Sequence, residues 1–265
     1  MIELRKYSFL GLTAIRSSFA YLGEQLFGLV FLAVILFIFL QLWRATFAGS
    51  GQERLGDLSL AQMVWYLAVT EAMVMSRPRL SSEVDQDVRS GALSVQLLRP
   101  LEYPLSKLAS GFGERLVRFG LIAGTGCLIA LVFVGTIPFN LEGLGLFVVV
   151  LPLAMFLDNL GFLLVGLCAF WLEDTSGLTL IYSRMTMILG GMLIPLELFP
   201  EAVQPILSWL PFSSIVYAPA RLFVNPSFEF FNSVIVRQGL SLIVLSVLVF
   251  LVYRMGLKQI QSNGG

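Results

Sequence analysis

The amino-acid sequence predicts an all-helical integral membrane protein with six spanning helices. Apolar residues make up 57% of the 265 residues and charged residues only 13%, whereas about a quarter of the residues of a soluble domain are charged. The mean hydropathy of +0.86 agrees with this composition. Six apolar stretches approach the ~20 residues that a helix needs to cross a bilayer. The chain length suits one membrane domain that comprises residues 1–265.

The first predicted element is a helix at residues 1–19 that lies in the membrane interface. Arg5, Lys6 and Arg16 stand among its apolar residues, so it lacks the unbroken apolar core of a signal peptide. A helix with both apolar and charged faces typically lies along the interface. A frayed chain terminus is the alternative.

Six apolar stretches follow as predicted spans. They cover residues 22–43, 60–76, 112–134, 144–171, 177–195 and 234–253. The second is the least hydrophobic, because it contains Gln62 and Glu71. The fourth is long enough to tilt, or to kink at Pro152.

The distribution of lysine and arginine predicts the orientation of the spans. With the N-terminus in the cytoplasm, twelve of these residues fall on the inside and four on the outside. Cytoplasmic loops carry the excess of positive charge in membrane proteins. We therefore expect a multi-pass protein of the cell inner (plasma) membrane with both termini in the cytoplasm.

Residues 79–91 are predicted to form a short cytoplasmic helix between the second and third spans. An apolar residue recurs at every fourth position, at Leu80, Val84 and Val88. Ser82 and Asp85 resemble an N-terminal capping box, and Gly91 stands where a C-terminal cap would be. The apolar stripe either packs on the protein itself or docks in a groove on a cytoplasmic partner. We favour the partner, since the other cytoplasmic loop is very short.

Six of the eleven prolines fall within the apolar residues 195–226. Proline inside a helix removes a hydrogen bond and clashes with the preceding turn, so this segment cannot be one straight span. Irregular backbone at membrane depth is tolerated only where protein or a water-filled cavity covers it. We interpret the segment as a lid over a central pathway, with a structural plug as the alternative. The lid prolines are Pro195, Pro200, Pro205 and Pro211.

Three charged residues, Glu71, Asp158 and Arg184, lie within the predicted spans. Each costs about 2.5–3.5 kcal/mol at the bilayer centre, and such residues usually face the bundle interior. At about 1.5 Å per residue, Glu71 and Arg184 have matching depths of ~8 and ~10 Å. We expect these two to pair, or Arg118 to take one of the two roles. Asp158 is expected to hydrogen-bond a neighbouring helix, with a polar pathway as the alternative.

Several kinds of function are excluded by what the chain lacks. It contains no histidine, and none of its three lysines follows a glycine. Histidine-based metal sites and catalytic triads are therefore impossible, as is ATP binding by a G-x-x-x-x-G-K-[ST] loop. The zero net charge gives no reason to expect a nucleic-acid partner. We expect no enzymatic activity, cofactor or metal in this chain.

Two stretches of the sequence resemble the permease, or transmembrane subunit, of ABC-2-type ABC transporters. The first reads G-x-L-x-x-x-L-L-R-P-L from Gly91 to Leu101. The second reads G-x-x-x-P-L-x-x-F-P, followed by L-P-F, and runs from Gly191 to Phe212. Together with the order of the spans and loop helices, the resemblance covers nearly the whole chain.

The resemblance implies a permease of an ATP-driven exporter. Family members work as dimers, with an identical or related second permease, and with separate ATPase subunits that bind ATP and Mg²⁺. The helix at residues 79–91 would be the coupling helix that docks on the ATPase, and residues 195–226 would form the outer gate. An ion-coupled secondary transporter that uses Glu71, Asp158 and Arg184 is the alternative.

The predicted docking residues combine the apolar stripe with the charges beside it. They are Arg79, Leu80, Glu83, Val84, Asp87, Val88 and Arg89. We expect Glu83 and Asp87 to contact basic residues of the ATPase.

Overall fold

The computed structural model of the protein describes residues 2–18, 22–137 and 141–263, which contain helices and no strand. The α-helices of these residues are α1 (Ile2–Ser18), α2 (Leu22–Ser50), α3 (Leu60–Met75), α4 (Leu80–Arg89), α5 (Ala92–Leu97), α6 (Tyr103–Val134), α7 (Leu141–Leu167), α8 (Ser176–Ile188), α9 (Gln204–Trp209), α10 (Pro211–Ile215), α11 (Tyr217–Val224) and α12 (Phe228–Asn263). Turns of 3₁₀ helix lie at Cys168–Phe170 and Leu196–Leu198. The predicted all-helical class is confirmed. Residues 1 and 19 of the predicted interfacial helix lie outside the described residues.

Four helices are long and apolar enough to cross a membrane. Among the described residues they are Gly28–Ser50, Tyr103–Val134, Leu141–Phe170 and Phe228–Gln259. The helix of the third predicted span begins at Tyr103 and not near residue 112. Pro104 explains this early start, because proline suits the first turn of a helix. The charged residues that follow Pro104 do not interrupt the helix.

The other two predicted spans are shorter helices. α3 has 16 residues, and α8 has 13 and ends at Ile188 instead of residue 195. Apolar composition continues beyond α8, but Gly191 has a φ of 69° and turns the chain. Composition alone therefore placed the end of the fifth predicted span too late.

α2 and α6 run in the same direction, as their contacts show. Leu32 packs on Gly126, and further along both helices Phe37 and Phe133 have ring centroids 6.1 Å apart. The residue numbers of the contacts rise together in the two helices. The chain between the end of α2 and the start of α6 must therefore return along the bundle.

α3 makes this return. Its Ala68 packs on Gly126, and Trp65 Nε1 donates a hydrogen bond of 3.0 Å to the Gly135 carbonyl near the far end of α6. The contacts run in opposite order along α3 and α6. The two helices are thus antiparallel, and α3 joins one end of the bundle to the other.

The second half of the chain repeats this arrangement. α7 and α12 are parallel, because Gln238 Nε2 donates to the Val150 carbonyl at 3.3 Å while Gly256 lies against Phe170. α8 starts the return between them. Its Tyr182 packs on Phe162 of α7 with ring centroids 4.8 Å apart.

One end of the bundle, here called the α4 end, carries α4 together with both terminal helices. α1 packs beside the start of α6, where the Glu102 amide donates to the Tyr7 hydroxyl at 2.9 Å. The last part of α12 reaches the same place, since the Tyr103 and Tyr253 rings stack 6.1 Å apart. Both α1 and the last part of α12 therefore lie at the α4 end.

α3 is the centre of the core. A capping box starts it: the Gln62 amide donates to Ser59 Oγ at 3.3 Å, and the Ser59 amide donates to Gln62 Oε1 at 3.0 Å. All of its residues 63–73 are buried. α2, α6 and α11 pack around it. None of the residues of α3 is exposed, so this helix is shielded from the surroundings along its whole length.

The ends of α4 differ in part from the prediction. The helix begins at Leu80 with Arg79 as its N-cap and without a side-chain cap. Ser82 lies inside the first turn, so the predicted capping box with Asp85 is wrong. At the other end Gly91 has the left-handed φ of 75° that suits the residue after a C-cap.

Candidate functional site

The apolar stripe of α4 packs on the protein's own helices. Leu80 and Val84 are 1% and 0% exposed and belong to one cluster with α7 and α12. A Cβ atom on Gly166 of α7 would lie 2.8 Å from Val84 Cβ, so glycine is required for this close approach. Val88 is partly buried in the same cluster. The prediction that Leu80 and Val84 contact a partner is therefore wrong.

Asp85 binds α4 to the start of α8. Its Oδ1 accepts hydrogen bonds from the Thr175 amide at 3.2 Å and the Thr175 hydroxyl at 3.0 Å, and Oδ2 pairs with Arg89. One turn further along α8, Thr179 donates to Ser81 at 3.0 Å. Asp85, which suggested a helix cap, thus joins α4 to the loop before α8.

Lys107 of α6 holds the acidic side of α4. Its Nζ lies 2.8 Å from Asp87 Oδ2 and 3.5 Å from Glu83 Oε2. Tyr103 donates a further hydrogen bond of 2.8 Å to Asp87. Burial raises the pKa of Asp87, but the bonds from Lys107 and Tyr103 outweigh this effect and leave that pKa below its ordinary value. Asp87 therefore has its basic partner within this chain.

The opposite face of α4 is polar and exposed. Its side chains are Arg79, Ser82, Glu83, Gln86, Arg89 and Ser90. Part of this face borders a surface cleft that continues onto the loop before α8 and is lined by Ser82, Asp85, Gln86, Arg89, Ser90, Asp174, Thr175 and Ser176. Hydrogen bonds from Ser176 lower the pKa of Asp174. Two carboxylates and one guanidinium border the cleft, which favours a basic group in a partner.

A buried ionic network lies next to α4. Asp158 of α7 pairs with Arg115 of α6 at 2.7 Å and with Arg77, just after α3, at 2.8 Å. Arg115 also donates to the carbonyls of Met155 at 2.9 Å and Met73 at 3.0 Å. Asp158 thus connects α7 to α6 and to the residue that follows α3.

The network contains more positive than negative charge. Arg115 and Asp158 have side chains that are fully buried, and Arg77 has a side chain that is 9% exposed. Arg77 Nη1 and Arg115 Nε are buried without hydrogen-bond partners. A single carboxylate therefore compensates two guanidinium groups.

The predicted pair of Glu71 and Arg184 does not form. Glu71 is 3% exposed in the last third of α3, whereas Arg184 is exposed on α8. Arg118 takes neither role, because it pairs with Glu114 at 2.5 Å and donates to the Arg77 carbonyl at 3.4 Å. Matching depth along two helices does not ensure that the two side chains point toward each other.

Sequence reasoning missed Arg77 and Arg115, which pair with Asp158. Both stood among the positive residues assigned to a cytoplasmic loop. A signal was present, because an aspartate within a span needs a cationic or hydrogen-bonding partner. The arginines nearest to the ends of the neighbouring apolar stretches were the candidates.

A comparison with protein families shows which family this chain belongs to. Residues 29–264 match a family model described as ABC-2 family transporter protein. The chain belongs to the ABC-2 family. It is therefore a multi-pass membrane protein and the transmembrane subunit of an ABC transporter. The comparison with curated proteins found no match.

The ABC-2 membership also weighs against the ion-coupled alternative. In this ABC-2 protein Asp158 is paired with two arginines, Glu71 is buried in α3, and Arg184 is exposed on α8. These three residues do not form one ion-binding site. Subunits of this type generally work with ATPase subunits.

The outer segment of the ABC-2 protein, residues 189–227, is attached to α3. Tyr66 donates to the Gly191 carbonyl, and Thr70 donates to the Met192 carbonyl at 3.0 Å. At the start of α3, Gln62 donates to the Val224 carbonyl at 2.8 Å. The irregular backbone of this segment thus receives part of its hydrogen bonds from the buried helix α3.

Prolines begin the short helices of the outer segment. Pro205 lies in the first turn of α9 and Pro211 in the first turn of α10. Pro195 is the residue before a 3₁₀ turn, and Pro200 comes soon after that turn. An ion pair between Glu197 and Arg221, at 2.5 Å, joins this turn to α11. The role of these prolines in an outer gate stays a prediction.

Proposed function

We propose that this chain is the permease of an ATP-driven exporter and works as a dimer with separate ATPase subunits that bind the exposed face of α4. The observation that carries this proposal is the division of α4 into two faces. Its apolar face is fixed to α7, while its polar face and the adjoining cleft remain open at the α4 end. Export and dimerisation rest on the resemblance to the family.

Six membrane crossings are part of the proposal. The four long helices include two parallel pairs, α2 with α6 and α7 with α12. When both members of a pair cross the membrane in one direction, the chain between them must cross back. α3 provides one return, and α8 with the outer segment provides the other.

The same topology supports a cytoplasmic α4 end. Both terminal helices reach this end, and the excess of lysine and arginine favours the cytoplasm for it. α1 exposes Phe9 and Leu12, which are 67% and 45% exposed. These side chains suit a helix that contacts the membrane interface.

Movement of the ATPase would reach the spans through three contacts of α4. Val84 against Gly166 transmits a push to α7, and Asp85 with Thr175 transmits it to α8. Pro78 and Arg79 connect α4 directly to Arg77 and the buried network. Coupling requires that the ATPase binds differently to the two conformations of the permease. ATP and Mg²⁺ belong to the ATPase in this scheme.

Charge reversal on the exposed face of α4 tests the docking site. The double variant Arg79→Glu with Glu83→Arg keeps the net charge and leaves the buried stripe unchanged. We expect it to reduce co-purification of the ATPase about tenfold or more. The bound ATPase would cover these two charges, and loss of such covered charge pairs speeds the dissociation of a complex. The readouts are the amount of bound ATPase and ATP-dependent transport.

The matched control is Glu53→Arg with Arg54→Glu, which exchanges neighbouring charges in the loop after α2 at the opposite end of the bundle. This control should bind the ATPase like the unmodified chain. Unchanged ATPase binding and transport in the α4 variant would exclude the proposed docking face.

A further inference from the structure

α8 receives little cover from its own chain. Of its 13 residues only Thr186 is buried. Leu180, Ile181 and Ile188 are 56%, 57% and 62% exposed. α7 supports the opposite side of the helix through the contact between Tyr182 and Phe162. The exposed face must therefore be covered by something outside this protomer.

Arg184 stands in the middle of this apolar face. Residues three and four apart share a helix face, so Leu180, Ile181 and Ile188 are its neighbours. Within the described part of the chain, its polar contact is with the Met187 sulfur at 3.6 Å. No carboxylate among the described residues pairs with it. The guanidinium is thus an uncompensated charge on an otherwise apolar surface.

Arg184 lies within the bundle and not at its edge. It is about 12 Å along α8 from Ser176 at the helical rise per residue. Two residues earlier, Tyr182 lies against Gly161 of α7. Because α7 and α8 are antiparallel, Arg184 is near the level of Asp158. Hydrocarbon alone is an unfavourable neighbour for a guanidinium at this level.

An identical second subunit does not offer a carboxylate at this level. Glu71 and Asp158 are 3% and 0% exposed. Glu114, near Arg115 on α6, is bound to Arg118 at 2.5 Å. The counter-charge for Arg184 must come from another molecule.

We propose that the α8 face binds the transported cargo, and that the cargo is an amphipathic anion taken from the cytoplasmic leaflet. Its anionic head group pairs with Arg184, and its apolar chain lies on Leu180, Ile181 and Ile188. This inference rests on the proposed function. The start of α8 also borders the cleft beside α4, so displacement of that cleft moves the binding face directly.

Binding is tested first on the purified full-length chain in nanodiscs of zwitterionic lipid, with radiolabelled dodecyl phosphate as the probe. Arg184→Gln should weaken binding about tenfold or more, because it removes a charge-assisted hydrogen bond. Arg184→Lys should retain most of the binding. The matched control is Arg254→Gln, which removes an exposed arginine near the α4 end of α12 and should leave binding unchanged.

Two results of this measurement overturn the site. One is equal binding by the Arg184→Gln variant and the unmodified chain. The other is equally effective competition by dodecyltrimethylammonium, which would mean that the anionic head group is not recognised.

Transport is then measured in vesicles that contain the chain with its ATPase. We expect ATP to move dodecyl phosphate away from the leaflet on the ATPase side, and Arg184→Gln to abolish this movement. Arg184-dependent binding without ATP-driven movement would identify a resident lipid and overturn the cargo role. Failure of the ATPase to bind the chain would instead defeat the proposed function, while the nanodisc experiment would still decide whether the anion site exists.

Discussion

Asp158 is the carboxylate of the buried network that contains Arg77 and Arg115. It pairs with Arg77 and Arg115, and its own side chain is fully buried. A buried ion pair adds little net stability, but removal of one member leaves a charge without compensation. Because two arginines share one aspartate, loss of the aspartate charge and loss of one arginine charge should have different effects on stability.

Asp158→Asn should destabilise the protein more than Arg77→Gln. The first change leaves two buried guanidinium groups uncompensated, at a cost of about 3–5 kcal/mol. The second leaves Arg115 and Asp158 as a balanced pair and should cost less. Thermal unfolding in detergent gives the order of the two variants. Arg184→Gln, which alters an exposed arginine, is the control and should unfold like the unmodified chain.

Asp87 predicts a pH dependence at the surface of α4. Its pKa is lowered in the folded protein, although burial acts in the opposite direction. A carboxylate with a lowered pKa stabilises the fold at pH values above its ordinary pKa near 3.8. This stabilisation is lost as the pH falls through the folded-state pKa.

Asp87→Asn should therefore be less stable than the unmodified chain at pH 7, and the difference should shrink below about pH 4. Unfolding temperatures recorded from pH 7 down to pH 3 check this expectation. Lys107→Met removes the main stabilising partner and should reduce the same pH dependence. A stability difference that stays constant over this range would contradict the role assigned to Lys107.

At the scale of the element, the position of α4 depends on a glycine of another helix. Val84 approaches α7 at Gly166, where a Cβ would also lie 2.9 Å from the Ser81 carbonyl. Since backbone atoms of α4 are part of this contact, a larger residue must displace the whole helix. The docking face on the other side of α4 would move with it.

Gly166→Ala should impair coupling between ATPase activity and transport while the spans remain assembled. The overpacked contact should cost about 1–3 kcal/mol. Gly145→Ala is the matched control, because Gly145 lies on the same helix and has open space around its Cβ position. Transport and ATP hydrolysis, measured together on both variants, provide the readout. Full coupling in Gly166→Ala would show that the observed seating of α4 is not needed for function.

The elements themselves were largely visible in the sequence, but their contacts were not. The period of four in Leu80, Val84 and Val88 correctly predicted a helix at α4. Periodicity identifies an apolar face without stating what covers it, and here the cover is α7. Likewise, Arg77 and Asp158 are 81 residues apart. Such a pairing depends on how α3 and α7 are arranged in space.

At the scale of the whole molecule, the direction of each helix decides the topology. Apolar composition predicted six spans, although α3 and α8 are shorter than a spanning helix needs to be. The parallel pairs support the proposal of six crossings, because two parallel helices that both cross the membrane need a return crossing between them. This information lies in the packing of distant residues, such as Leu32 on Gly126.

Single-cysteine variants provide a test of the six crossings. In a background with Cys127→Ala and Cys168→Ala, Ser90→Cys should react with an impermeant maleimide from the cytoplasmic side. Gln52→Cys should react from the opposite side, because α3 lies between the two positions. Reaction of both cysteines from one side would exclude a crossing by α3.

The central place of α3 has a consequence for the influence of lipids. Acyl chains of different length act on helices that contact them, through hydrophobic mismatch. α3 is enclosed by other helices and joins the α4 end to the outer segment. Bilayer thickness should therefore shift the tilt of the peripheral helices α2 and α12. It should have little effect on the movement that α3 passes from the α4 end to the outer segment. The number of molecules transported per hydrolysed ATP should then stay similar in thin and thick membranes.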